Sequence, residues 1–268
     1  MTIAPSLGGG VIPLERQRRI AEKVLDEGQI SIAQIIDLFG VSEITARRDL
    51  NELDRQGLLR RVHGGAIASL GRSYEPHFQT RTAKNKTEKI IIGIKAAEQV
   101  FDGDSIALDV GTTTLEIVRG LIDKRNLTIV TSSIQIANEV IATLSLDTNV
   151  RLILAGGVVR ARELSMVGMI AERTVRELHV DKAFIGIGGI SLRDGLTEYN
   201  MEDARMKQVL IESAQEKFVV ADSGKFGRTT FTTVGPITSV DAIITDGNAP
   251  MDQVEKITSM GVRVIVAG

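Results

Sequence analysis

The stretch that most constrains the fold of this chain runs from Val41 to Gly65 and has the sequence VSEITARRDLNELDRQGLLRRVHGG. Ser42 is a favourable N-cap residue and Gly57 favours the end of a helix, so the residues between them predict a helix. Residues 58–62 are typical of a short strand, and the two glycines at 64 and 65 predict a tight turn after it. The stretch therefore predicts a helix followed by a basic β-hairpin, or wing.

Apolar residues recur along this helix at the spacing of one buried face. That face is predicted to contain Val41, Ile44, Leu50, Leu53 and Leu58. The other faces are predicted to carry Glu43, Thr45, Ala46, Arg47, Arg48 and Asn51. Such a polar surface fits a binding partner. The same arginines beside Asp49, Glu52 and Asp54 would also fit a solvated face with ion pairs between residues i and i+4.

Two further helices are predicted before this one. Arg16–Glu27 and Ser31–Phe39 carry apolar residues at helical spacing, and Gly40 ends the second of them. In helix-turn-helix proteins the second helix of the pair lies in the DNA major groove, and the first crosses the backbone. Three helices and a wing therefore predict an α+β winged helix-turn-helix domain at residues 14–68 that binds double-stranded DNA.

Polar side chains at the start of the third helix and in the wing are the predicted DNA contacts. They are Ser42, Glu43, Thr45, Arg47, Arg48, Arg60, Arg61 and His63. Arginine binds either guanine edges or phosphates, and the sequence leaves open which arginine has which role.

Short apolar runs alternate with helical stretches from residue 90 to residue 268, which predicts an α/β domain with a largely parallel sheet. The predicted strands are Ser105–Val110, Thr128–Thr131, Val150–Ala155, Ala183–Ile187, Phe218–Ala221, Ala242–Thr245 and Val262–Ala267. Residues 1–13, with three consecutive glycines, predict a flexible tail. Residues 69–89 are polar and basic and predict a solvated linker, with a role for their lysines on the DNA backbone as the alternative.

Ligands of parallel sheets bind beyond the carboxyl ends of the strands. At one such end the residues Asp109-Val110-Gly111-Thr112-Thr113-Thr114 lead from a strand into a helix, where successive N–H groups and the helix dipole attract anions. Glycine with three hydroxyls favours phosphate binding, and simple N-capping by one threonine is the alternative. Lysines in this domain would add charge, although the surface is the ordinary place for a lysine. The further candidate ligand residues are Ser132, Gly156, Gly157, Gly188, Glu198, Lys207 and Lys225.

Several classes of site are excluded or disfavoured by the sequence. The chain has no cysteine, so it has neither disulfides nor thiolate metal ligands, and we expect no metal. The glycine runs lack the spacing of dinucleotide and Walker motifs, so no cofactor is expected. The chain contains no apolar run long enough to span a membrane and no signal-type start, which predicts a cytoplasmic protein.

Dense motifs in both predicted domains, from Leu14 to Asp246, resemble the DeoR/GlpR family of bacterial repressors. In the first domain they are Phe39-Gly40-Val41-Ser42, Thr45, Arg47-Arg48-Asp49-Leu50, Leu53, Gly57 and His63-Gly64-Gly65-Ala66. In the second they are Asp109, Gly111–Thr114, Gly156, Gly157, Ser165, Gly168, Asp181, Gly186, Gly189, Lys207, Asp222, Lys225, Phe226 and Gly227. The resemblance implies a sugar-phosphate sensor on a fold similar to ribose-5-phosphate isomerase and CoA transferases.

We therefore expect a repressor of a carbohydrate-use operon that a phosphorylated sugar releases from its operator, with an activator as a variant of the same design. A homodimer or tetramer is expected, because one winged module covers little DNA. The alternative is an isomerase-like enzyme in which Asp109 or Glu198 is the general base and Lys207 or Lys225 stabilises an enediolate. The scattered histidines, His63, His77 and His179, and the attached DNA-binding module favour a protein that is not an enzyme.

Overall fold

The computed structural model of the chain describes residues 12–68, 71–144 and 148–268, without the side chains of residues 25 and 26. The predicted tail at residues 1–13 lies outside the described residues except for its last two positions. The chain forms two compact units that meet in sequence between Tyr74 and Glu75.

The first unit combines three helices with a small antiparallel sheet. Its elements are α1 (Pro13–Glu27), β1 (Gln29–Ser31), α2 (Ile32–Phe39), α3 (Glu43–Arg55), β2 (Leu59–Val62) and β3 (Gly65–Ala68). The strand order is β1-β3-β2, so the predicted wing, β2 with β3, gains β1 as a third strand. This arrangement confirms the predicted winged helix-turn-helix fold.

Local signals fix the two helices of the helix-turn-helix pair. At the start of α2, Ser31 and Gln34 form a reciprocal capping box, and Gly40 ends the helix with a φ of 62°. The Ser42 hydroxyl then accepts the backbone N–H of Thr45 at 3.3 Å and starts α3. The turn between the helices therefore has a defined length and geometry.

The buried face of α3 differs from the one predicted. Ile44 is 80% exposed and Leu58 is also exposed, whereas Ala46 and Asp49 are buried together with Leu50 and Leu53. The core stripe of α3 is therefore 46, 49, 50 and 53, and this rotation turns Ile44 away from the core. Helical spacing of apolar residues predicted that Ile44 would be buried. It did not predict that the polar Asp49 would be buried on the same helix.

The second unit is built on a parallel sheet of seven strands in the described residues, ordered β15-β14-β12-β9-β4-β5-β6. These strands are β4 (Ser105–Leu108), β5 (Thr128–Thr131), β6 (Arg151–Leu154), β9 (Val180–Ile185), β12 (Ala214–Val220), β14 (Ala242–Asp246) and β15 (Arg263–Ala267). Every adjacent pair is parallel, which confirms the predicted α/β class.

Helices cover both faces of this sheet. They are α5 (Lys86–Ala97), α6 (Thr112–Arg119), α7 (Ile134–Thr143), α8 (Met169–Arg176), α9 (Met201–Ser213) and α10 (Met251–Ser259). Residues of α5, α6 and α7 share one core with Ile106 and Leu108, whereas residues of α8 and α9 share another with Ala107. Because neighbouring residues of a strand point to opposite faces, the sheet is the middle of three layers.

Two small sheets were not predicted. They contain β7 (Val158–Arg160), β8 (Ser165–Val167), β10 (Gly189–Ser191), β11 (Gly195–Glu198) and β13 (Thr232–Gly235). Their strands have three or four residues, too few to give a periodic signal. They lie in the connections that follow the central strands, and β10 and β11 frame the candidate ligand site.

The structure differs from the predicted linker at residues 69–89. The segment contains α4 (Phe78–Ala83) and the start of α5, and it belongs to the second unit from Glu75 onward. Phe78 is buried in the sheet core, and buried Lys89 donates to the backbone carbonyl of Lys84 at 2.6 Å. The polar composition of the segment predicted solvent exposure, whereas its Lys89 is buried and bonds within the second unit.

None of the helices in the described ranges is both long enough and apolar enough to cross a bilayer.

Candidate functional site

The exposed side of α3 carries most of the predicted DNA contacts. Ser42, Glu43, Arg47 and Arg48 are exposed, and Thr45 is half-buried. The hydroxyls of Ser42 and Thr45 lie 3.0 Å apart and serve the helix cap. These two residues therefore position the start of α3, where a reading helix reaches base edges.

The two arginines of α3 have different surroundings. Arg47 donates to the Glu43 carboxylate through Nε at 2.8 Å and Nη2 at 2.6 Å, as the solvated-face alternative expected. Arg48 has no hydrogen bond or ion pair among the described residues. Arg48 is thus the arginine whose donors are not already occupied by a carboxylate of its own helix.

The wing is tied to α3 by a side-chain hydrogen bond. Arg61 Nη1 donates to Asn51 Oδ1 at 2.6 Å, while Arg60 and His63 are exposed. A Cβ on Gly65 would lie 2.1 Å from the Ile30 carbonyl oxygen, so only glycine allows β3 to approach β1 this closely. The wing and α3 therefore form one connected surface.

In the second unit, a buried ion pair joins residues from distant parts of the chain. Lys207 Nζ, on α9, lies 2.5 Å from Asp109 Oδ2 and 3.4 Å from Glu198 Oε2. Asp109 Oδ2 also accepts the backbone N–H of Gly186 at 3.1 Å. Burial raises the pKa of Asp109 to about 6, and the neighbouring carboxylates raise the pKa of Lys207.

The threonine loop begins α6 immediately after Asp109 and Val110. Gly111 is the N-cap, and the side chains of Thr112, Thr113 and Thr114 are buried. The Thr114 hydroxyl donates to the Gly111 carbonyl at 2.9 Å, and no side chain of the described residues caps the N-terminus of α6, so the structure does not show the alternative of N-capping by one threonine. Backbone N–H groups in the first turn of a helix have no intrahelical acceptor and remain suited to an anion.

The other predicted ligand residues are distributed among several loops. Ser132 is buried and its carbonyl accepts from Met166, and a Cβ on Gly157 would lie 2.6 Å from the Val167 carbonyl oxygen. Gly157 is therefore required for packing, and Gly156 beside it has open space. Gly188 approaches Glu198, because a Cβ there would lie 2.8 Å from Glu198 Oε1.

A small cavity of about 20 Å³ lies among the buried charges. The predicted residues that line it are Gly188, Glu198 and Lys207, and the unpredicted ones include Glu75, Arg81 and Asp203. Among the buried side-chain polar atoms without a hydrogen-bond partner in the described residues, three belong to this network of charges: Arg81 Nε, Asp109 Oδ1 and Asp203 Oδ1. Buried polar atoms are nearly always paired, so this site is suited to a polar ligand.

An ion-pair network that sequence reasoning missed surrounds this cavity. Arg81 bonds to Glu163 and lies 3.3 Å from Glu75, and Arg160 lies 2.7 Å from Glu75 and bonds to Asp203. Burial raises the pKa of Glu163 to about 7. Arg81 was overlooked because its segment was assigned to the linker. The lone Phe78 in that polar segment was the signal that it packs on the domain.

Lys225 contributes a further cation near this network. It is half-buried, with Nζ 5.9 Å from the centroid of the buried Tyr199 ring, and burial lowers its pKa to about 8. Arg228 lies over the same ring at 5.5 Å. No cluster of potential metal ligands occurs in the part of the chain that the structure describes.

Comparisons with known proteins cover both units. Residues 16–69 match the model of the DeoR-like helix-turn-helix domain, and residues 84–247 match that of the DeoR C terminal sensor domain. The HTH-type transcriptional regulator GlpR of Haloferax volcanii is 35% identical over 95% of this chain and 98% of its own. The glycerol-3-phosphate regulon repressor of Escherichia coli is 34% identical over 93% of this chain and 97% of its own.

Among solved structures, ribose 5-phosphate isomerase A of Methanocaldococcus jannaschii resembles the chain with a TM-score of 0.38 and 17% identity. The match covers 53% of this chain and 55% of the isomerase.

Proposed function

The chain belongs to the DeoR family of helix-turn-helix transcriptional regulators, and on that premise we propose that it represses a carbohydrate-use operon until a phosphorylated sugar releases it from DNA. The observation that carries the proposal is that one chain combines an exposed, capped α3 with a buried polar site in which three side-chain atoms have no partner in the described residues. The first would bind the operator and the second the effector.

At the operator, we assign base contact to Arg48 and phosphate contact to the wing. Within the described residues Arg48 makes no hydrogen bond or ion pair with a carboxylate, whereas Arg47 would first have to leave Glu43. A bidentate arginine–guanine pair contributes about 1–3 kcal/mol of discrimination. Arg60 and His63 are exposed on the hairpin, which supports a role for them in binding the DNA backbone. Arg47 would then reach a phosphate or hold Glu43 in position.

In the sensor unit, we assign the effector phosphate to the first turn of α6, with Lys225 adding positive charge. The sugar hydroxyls would donate to Asp109 Oδ1 and Asp203 Oδ1 and accept from Arg81 Nε, three atoms that have no partner in the part of the chain that the structure describes. The names of the relatives support phosphorylated metabolites as the class, since one is the repressor of a glycerol-3-phosphate regulon.

We infer that this site binds its ligand without transforming it, because two relatives that match nearly the whole chain are named as transcriptional regulators. The test is direct. Full-length protein incubated with pentose and hexose phosphates is followed by NMR. If the wild-type protein isomerised a sugar phosphate faster than an Asp109→Asn variant did, the result would instead favour the alternative of an isomerase-like enzyme.

We further propose that the protein acts as a homodimer or tetramer in the cytoplasm, where the operator is. Two half-sites one helical turn apart require two correctly spaced α3 helices. Light scattering with and without operator DNA measures the assembly, and a 29.0 kDa species under both conditions would contradict it.

The central experiment begins with selection of bound duplexes from a random pool by the full-length protein. Fluorescence anisotropy then measures affinity for the selected duplex while glycerol 3-phosphate, pentose phosphates, hexose phosphates and their unphosphorylated forms are added in turn. Thermodynamic linkage requires ligand and DNA to weaken each other by the same factor, typically about 5- to 150-fold. A sugar phosphate that binds without changing DNA affinity would exclude it as the releasing effector.

A further inference from the structure

Ile44 is an apolar side chain in the middle of the polar face of α3. It is the second residue of the helix, is 80% exposed and belongs to no hydrophobic cluster formed by the described residues of the first unit. Its chain neighbour Glu43 and the residue one turn on, Arg48, are both exposed and charged. Exposed isoleucine adds nothing to the core, and its β-branch makes it a weaker helix former than alanine.

The position of Ile44 places it where a reading helix touches bases. The N-terminal residues of such a helix lie at the base edges of the major groove. In that groove, the only apolar group that a base pair presents is the C5-methyl of thymine, which binds apolar side chains. A β-branched side chain has few rotamers to lose, so it can contact a methyl group at small entropic cost.

We propose that Ile44 contacts the C5-methyl group of a thymine in each operator half-site and so determines part of the base preference of this protein. The inference rests on the proposed DNA-binding function and goes beyond it by naming a base and the group that is recognised. The hydroxyls of Ser42 and Thr45 are engaged with each other and Arg47 is paired with Glu43, which leaves Ile44 and Arg48 as the adjacent uncommitted side chains of this turn.

The spacing of these two residues makes the proposal more specific. Residues four apart on a helix have Cβ atoms about 5–6 Å apart, and neighbouring base pairs are about 3.4 Å apart along a strand. Ile44 and Arg48 therefore contact base pairs that are one or two steps apart. The selected half-site should contain a thymine within two base pairs of the guanine that Arg48 contacts.

The test replaces thymine by uracil, which lacks only the C5-methyl group. Each thymine of the selected duplex is changed singly, and anisotropy measures the affinity of wild type, Ile44→Ala and Leu38→Ala. Leu38, on α2, is the matched control because it is also an exposed apolar residue of the same unit, at 54%. Alanine is a good helix former, so the Ile44 variant should fold, which its melting curve checks.

Wild type and Leu38→Ala should bind about fourfold more weakly when uracil replaces one particular thymine per half-site. This factor corresponds to the free energy of burying about one methyl group. Ile44→Ala should bind the thymine and uracil duplexes equally. Equal uracil sensitivity in wild type and Ile44→Ala, or no uracil-sensitive position, overturns the proposal while leaving DNA binding intact. If the selection enriches no sequence at all, the proposed function fails together with it.

Discussion

Replacing Asp49 by alanine should abolish operator binding by unfolding the first unit and not by removing a DNA contact. Asp49 follows Arg47 and Arg48 in sequence, yet only 2% of it is exposed. It accepts Arg16 Nε at 2.6 Å, Arg16 Nη2 at 3.3 Å and Gln17 Nε2 at 2.9 Å. These three bonds join α3 to α1, so Asp49 connects the reading helix to the rest of its domain.

The magnitude follows from the burial of both charges. Removing one partner of a buried ion pair costs about 3–5 kcal/mol, because the other charge stays in a poorly solvated place. A domain of this size rarely has more than about 3–5 kcal/mol of net stability. Asp49→Ala should therefore leave the first unit largely unfolded at 25 °C. The second unit has its own core, and its stability should not change.

Hydrogen exchange followed by mass spectrometry on the full-length protein separates these effects. In Asp49→Ala, peptides from residues 13–68 should lose protection while those from residues 75–268 keep it. Arg48→Ala is the control and should lose operator affinity with full protection in both units. The double variant Arg16→Met/Asp49→Leu should recover protection, since an apolar pair can replace a buried ionic one. Full protection in Asp49→Ala with operator affinity lost would refute this reasoning and make Asp49 a DNA contact.

Three further predictions concern other parts of the structure. Gly65→Ala should destabilise the first unit by about 1–3 kcal/mol in thermal melts, because the new Cβ must push β3 away from the Ile30 carbonyl; an unchanged melting temperature would contradict the close approach. Thr113→Val and Lys225→Ala should keep operator affinity in anisotropy titrations but require more sugar phosphate for release, whereas a purely structural role predicts lower melting temperatures and an unchanged dose. The folded-state pKa of Glu163 is raised from 4.5 to about 7, so the folded unit holds a proton that the unfolded chain has lost, and the stability of the second unit should fall as the pH rises from about 4.5 to 7. Glu163→Gln should flatten this part of the pH dependence of urea unfolding, and an unchanged slope would place the titration elsewhere.

The central sheet could be predicted from the sequence because its strands are buried on both faces. Parallel strands in such sheets are continuous apolar runs, and they stand out between polar loops and helices. All seven predicted runs are strands of the sheet, with ends that differ by a few residues. The strand β12 starts earlier than predicted, at Ala214. Gln215, Glu216 and Lys217 are polar and gave no apolar run, although this part of β12 pairs with β9.

The buried polar groups could not be predicted from composition. A charged residue is ordinarily exposed, so Asp49, Arg81 and Lys89 were each assigned to a surface or linker. Their burial depends on partners that are far away in sequence, such as Arg16 for Asp49 and Glu163 for Arg81. A single sequence shows the residue types but not which of them meet. The candidate ligand loops were predicted as a set, while their roles in binding stay predictions.

The order of strands in the sheet has a consequence for how the protein is made. The first strand of this sheet to leave the ribosome, β4, lies inside the sheet, and its two neighbours are β5 and the much later β9. Until β9 exists, the backbone N–H of Asp109 lacks its acceptor on Phe184, and its carboxylate lacks Lys207, which lies 98 residues further along. The contacts of the first unit are local and can form early, since nearby residues meet faster than distant ones. A growing chain would thus complete its DNA-binding surface well before the site that controls it, and a chain ended prematurely would retain the first without the second.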